Sequence, residues 1–202
     1  MTTDWTVEYR RLLRGHRHEP ASPQAWETYR DPAAPPLSEP EVREAEADLG
    51  IRFPAEYRDY LLRVSAGHRI NRLARGAEGW RWRGDRDTNY GLLTEPFPHP
   101  DSYAAYDDEL DDREPSYEDA EAWRAWDDEC GVLQERKTAG AVYIQENGCG
   151  FHTLLVVTGP HRGEMWFDAR ATCDLILPMR LHDRPVTFAD WLGHSSMDLV
   201  QW

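Results

Sequence analysis

The chain has 202 residues and a formal net charge of −14, with 37 Asp and Glu against 23 Lys and Arg. Nucleic-acid readers concentrate Lys and Arg, so this balance argues against direct binding of DNA or RNA. No apolar run approaches the roughly 20 residues that span a bilayer, and the opening residues lack the unbroken apolar stretch of a secretory signal.

A domain of this length buries roughly 70% of its unfolded surface and needs no covalent staples. Cys130, Cys149 and Cys173 are odd in number and scattered, which does not suit a disulfide framework. A soluble cytoplasmic protein with reduced thiols is expected, with no membrane partner.

In chain order, Trp5, Tyr9, Leu12 and Leu13 fall on one face and Gly15 follows, which predicts a helix over 4–14. Residues 15–36 read as a Pro-rich linker. Ser38-Glu39-Pro40-Glu41 has the form of a capping box. Val42, Ala45 and Leu49 line the helix it opens, and Gly50 stops it. After Ile51-Arg52-Phe53, Pro54 opens a second helix on which Tyr57, Tyr60, Leu61 and Val64 recur with helical spacing.

Residues 66–100 read as irregular, with short strands expected at 80–82 and 90–93. A helix is expected over 118–129 with Trp123 and Trp126 on its apolar side. Four β-rich runs, 141–145, 152–158, 164–168 and 174–177, are separated by Asn-Gly-Cys-Gly, Gly-Pro-His-Arg-Gly and Ala-Arg-Ala-Thr, which read as turns. A last helix starts at Thr187 and uses Phe188, Trp191 and Leu192. This order predicts an α+β fold: a twisted, mainly antiparallel sheet flanked by helices in a single domain.

Catalytic templates fail in turn. Gly148-Cys149-Gly150 begins a dinucleotide fingerprint, but Thr153 stands where the third glycine belongs. Cys149 and His152 make only half a zinc site, and a buried cysteine at a strand start is the simpler reading. The aspartates at 107, 108, 111 and 112 lack the rhythm of a calcium loop. No nucleophile elbow occurs. The expectation is a non-enzyme without cofactor or metal.

The charge is concentrated. Residues 101–129 hold thirteen acidic side chains against Arg113 and Arg124. Such a segment attracts basic partners and speeds their encounter; it reads equally as a solvated, partly disordered face. Trp80 and Trp82 sit among arginines, as anchors of an interface do or as a core-facing strand pair.

Residues 37–61, with an acidic helix, Leu-Gly, an apolar residue and Phe-Pro before a Tyr-containing helix, resemble the opening of the SUKH superfamily. Gly148-Cys149-Gly150, Val157-Thr158-Gly159-Pro160 and Gly163-Glu164-Met165-Trp166-Phe167-Asp168 resemble its second block. Thr187-Phe188-Ala189-Asp190-Trp191-Leu192 resembles its closing helix. Ser65-Ala66-Gly67-His68 departs from the family's usual Asn-Gly-Gly. The resemblance implies a SUKH-like domain over 37–202 with an acidic insertion at about 101–129, preceded by the helix and linker of 1–36. It also implies a non-catalytic role. Bacterial members are largely immunity proteins that neutralise a toxin, often a nuclease; a fungal relative regulates cell-wall synthesis through protein contacts.

Two functions follow as expectations. One is an immunity protein of a polymorphic toxin system that binds a basic toxin domain. Its partner-binding residues would be Asp107, Asp108, Glu109, Asp111 and Asp112, with Tyr103, Tyr106, Trp80 and Trp82. The other is a regulatory or scaffolding module without a toxin partner.

Overall fold

The computed structural model describes residues 34–202 except Arg86; the helix expected over 4–14 lies outside these residues. Helix α1 (Glu39–Leu49) begins where predicted, with the Ser38 hydroxyl accepting from the Glu41 N–H and the Glu41 carboxylate accepting from the Ser38 N–H. Gly50 ends it in the left-handed conformation (φ 68°), donating its N–H to the Glu46 carbonyl. The elbow is fixed from inside: the Glu46 carboxylate accepts the Phe53 N–H (3.0 Å) and lies 3.4 Å from Arg58 Nε. Pro54 then precedes α2 (Ala55–Arg63).

A hairpin follows, β1 (Arg72–Gly76) paired antiparallel with β2 (Gly79–Arg83). Gly79 has φ 95°, and an added Cβ would meet the Asp48 carboxylate at 2.3 Å. That carboxylate is fixed by the Trp80 N–H (2.7 Å). Only glycine satisfies both the backbone and the approach.

The strand expected over 90–93 is instead a 3-10 turn, Tyr90–Leu92. The Asn89 side chain accepts the Gly91 N–H and curls the chain before it can extend.

The last third is a meander of β3 (Ala141–Gly148), β4 (Phe151–Val156), β5 (Met165–Asp168) and β6 (Ile176–Pro178), each antiparallel to the next. Both faces are buried. Val142, Ile144, Leu155 and Phe167 join the large core with α1, α2 and the β1–β2 hairpin. Ala141, Tyr143, Leu154, Val156, Trp166 and Ile176 form a second cluster under Phe97. Two-sided burial explains why these strands read as continuous apolar runs and not as alternating ones.

Two turns differ from expectation. Ala169 to Thr172 begins a short helix, α5 (Arg170–Cys173), and Asp174 adopts φ 56°, which delays β6 to Ile176. Cys149 is exposed in the β3–β4 turn with φ 53°, not buried at a strand start.

A two-residue hairpin joins β7 (Arg180–Leu181) to β8 (Arg184–Pro185) through His182 and Asp183, both at positive φ. Helix α6 (Phe188–Trp191) opens with a second capping box, Thr187 with Asp190. Its Phe188 ring meets Tyr57 and Tyr60 of α2 edge-on at 5.2 and 5.3 Å. The described residues thus form an α+β fold of six α-helices and open antiparallel sheets.

Candidate functional site

The acidic segment is a pair of helices. His99 starts a 3-10 turn, Pro100–Ser102, that feeds α3 (Ala104–Asp112). Residues 113–119 lead to α4 (Ala120–Arg136), whose first turn is capped by the Asp119 side chain accepting the Ala122 N–H (3.0 Å). The helix expected over 118–129 therefore continues to Arg136, straight through Gly131. An interior glycine costs a helix about 1 kcal/mol relative to alanine, and in sequence it looks like a stop.

Each helix contributes one buried residue, Leu110 from α3 and Leu133 from α4. The rest is held by specific polar anchors. Lys137 is 2% exposed, and its ammonium donates to both Asp107 oxygens, at 2.7 and 2.6 Å. It also lies 5.4 Å from the centroid of the Tyr103 ring. Burial, with Asp107 and Asp168 adding to it against Arg170, pushes the Tyr103 phenol up to about 12.

Between the helices, Trp126 Nε1 donates to the Leu110 carbonyl (2.8 Å). Glu129 receives Tyr106 and Arg113, and these two partners hold its carboxyl below the usual range.

At the sheet, Arg170 donates to Asp168 (2.7 Å), to the Tyr143 hydroxyl (2.7 Å) and to the Gln134 carbonyl of α4 (2.7 Å). Tyr143 also donates to Asp168 (2.8 Å). Burial alone would raise the Asp168 carboxyl, but the Arg170 guanidinium outweighs it and holds the group below its ordinary value. A depressed folded value means this stabilisation is complete above the unfolded carboxylate range and is lost as pH falls below that range and through the folded value. The expected result is a steeper fall in thermal midpoint between about pH 5 and pH 3 for the wild type than for Asp168→Asn. Equal slopes would remove the pair from the acid response.

The nine expected partner-binding residues separate into groups. Asp108, Glu109, Asp111 and Asp112 are exposed on α3, and Tyr106 is 41% exposed beside them. Asp107 and Tyr103 are half-buried around Lys137 and serve as anchors. Trp80 and Trp82 are 4% and 1% exposed. Trp82 Nε1 donates to the Tyr57 hydroxyl (2.8 Å), and its ring packs on Phe53 and Tyr90. Both tryptophans are core residues and offer no surface to a partner.

The field around the hairpin is strongly negative. Burial first, then Asp111, Asp127 and Glu129, push the Cys130 thiol up. Elsewhere, His152 Nε2 lies 3.5 Å from Asp87 and His161 Nδ1 lies 3.0 Å from Glu164. Among the described residues no group of three His, Cys, Asp or Glu is placed to hold a metal ion, and no helix is long and apolar enough to cross a membrane.

The model of the SMI1 / KNR4 family (SUKH-1) matches residues 36–176. The chain belongs to that family. Comparison with curated proteins and with solved structures gave no match. The SUKH-1 span takes in α1, α2, the β1–β2 hairpin, the α3–α4 pair and the meander as far as the first residue of β6. The Thr187–Leu192 helix that resembles the superfamily's closing motif lies beyond the matched residues. Lys137 and Arg170, which tie the acidic hairpin down, carry no motif in the sequence. A lone lysine after a run of carboxylates is the one signal that could have marked the first of them.

Proposed function

We propose that this SUKH-1 protein is a non-catalytic immunity protein that binds a basic toxin domain through its acidic helical hairpin and occludes the toxin's working surface. The observation that carries this reading is the mismatch between what the hairpin displays and what the fold uses. Residues 101–129 hold thirteen carboxylates, yet α3 and α4 bury one residue each. Like charges packed on one hairpin repel and are not needed to bury the core.

A nuclease groove is basic because its substrate is a polyanion. A carboxylate surface can occupy that groove in place of phosphates, and complementary potentials raise the rate of encounter.

The test is purification with the toxin encoded beside it, followed by association kinetics. Replacing Asp108, Glu109, Asp111 and Asp112 with lysine is expected to slow association roughly ten- to a hundredfold at low salt and to flatten its salt dependence. Unchanged kinetics would move the interface elsewhere on the molecule. A chain with no toxin gene beside it would instead favour the regulatory module.

A further inference from the structure

The far end of the hairpin carries an aromatic run that the fold buries only in part. Tyr117, in the α3–α4 loop, is 77% exposed. Its ring lies 4.1 Å from that of Trp123, centroid to centroid, at 32°. Trp123 in turn lies 4.9 Å from Trp126, and Trp126 is fixed by its bond to the Leu110 carbonyl. The three rings therefore form one stacked step, anchored at Trp126 and with its outer end in water.

Carboxylates bracket it. Asp127 stands four residues after Trp123 on the same helix face, and Asp119 caps the helix one turn before it. Glu114 and Glu118 flank Tyr117. Among the described residues the cations placed over aromatic rings are Arg81 over Tyr90 and Lys137 over Tyr103. Neither serves this step. Arg124 follows Trp123 directly and is exposed, yet it is not among the cations placed over a ring; Arg113, four residues before Tyr117, is engaged by Glu129 and Glu109.

An exposed ring, backed by a half-buried one and set among carboxylates, matches one side chain best. A guanidinium is planar, stacks on an aromatic face and leaves its edge free for two parallel bonds to a carboxylate. An ammonium matches the charge but neither the stacking nor the fork.

We propose that Tyr117 and Trp123, with the neighbouring carboxylates, form a receiving surface for arginine side chains of a partner protein. The hairpin then selects an arginine-bearing segment over a lysine-bearing one of equal charge. This rests on the proposed role of the hairpin and names the chemistry of its partner.

The test is calorimetric titration of the full chain with hexa-arginine and hexa-lysine peptides at matched ionic strength. Hexa-arginine is expected to bind about five- to tenfold tighter, the size of one or two cation–π contacts. Tyr117→Ala, an exposed change that spares the core, should shrink that ratio toward one, and Tyr117→Phe should retain it. The four-lysine variant of α3 should weaken both peptides together. Equal affinities in the wild type, or a ratio undiminished by Tyr117→Ala, would overturn the proposal. Toxin capture by a chain without arginine preference would overturn it while leaving the immunity reading intact. Arginine preference without toxin capture would support it and reject that reading.

Discussion

Trp82→Ala is expected to destabilise the protein by about 4 kcal/mol, as truncating a fully buried large aromatic usually does. The ring is 1% exposed and sits where three parts of the chain meet: Phe53 from the elbow, Tyr57 from α2 and Tyr90 from the 3-10 turn. At this chain length the thermal midpoint should fall by roughly 8 to 16 °C. Trp82→Phe keeps most of the ring but removes the donor to the Tyr57 hydroxyl. It should cost less, about 1 to 2 kcal/mol, close to the cost of one unsatisfied buried polar group. A small effect of Trp82→Ala on stability, together with a large one on partner binding, would return Trp82 to the surface.

The second large effect is asymmetric. Asp107→Ala should cost about 3 kcal/mol, because it strands the Lys137 ammonium, 2% exposed, without its partner. Lys137→Met should cost less, since Asp107 retains 30% exposure and can regain water. The double variant Lys137→Met with Asp107→Leu should recover most of the loss, because an apolar pair replaces a buried ionic one at little net cost. Thermal unfolding of the three proteins checks the order. Equal losses in the two single variants would mean that desolvation does not decide this site.

Local signals in the sequence were read well where the chemistry is local. The Ser38 capping box, the Thr187 cap, the Gly50 stop and the order of the β-meander need only neighbouring residues, and each appears as expected; that Asp190 completes a second box was not foreseen. Helix α3 was not legible. Five carboxylates in nine residues around one buried leucine leave no apolar period to detect, and the helix is defined by Lys137, thirty residues away. The 3-10 turn at Tyr90 was missed because apolar content alone does not separate a strand from a curl capped by Asn89. Trp80 and Trp82 illustrate a signal present but underweighted: Gly-Trp-Arg-Trp-Arg alternates strictly, the mark of a half-buried strand. Of the candidate site, the acidic stretch was visible as composition. Its division into anchors and free carboxylates depends on tertiary contacts that no spacing reveals.

The anchors of the hairpin also bear on how such a protein can change. Lys137 grips α3 near its start and Arg170 grips α4 near its end, so both attachments lie on the sheet side. The stretch between Asp111 and Arg124 is tied to the other helix, not to the core. Apart from the Asp119 cap and the Arg113–Glu129 pair, exposed side chains there can change without touching the core. Under the proposed immunity role, new specificities can be sampled on the hairpin while the domain beneath keeps its core.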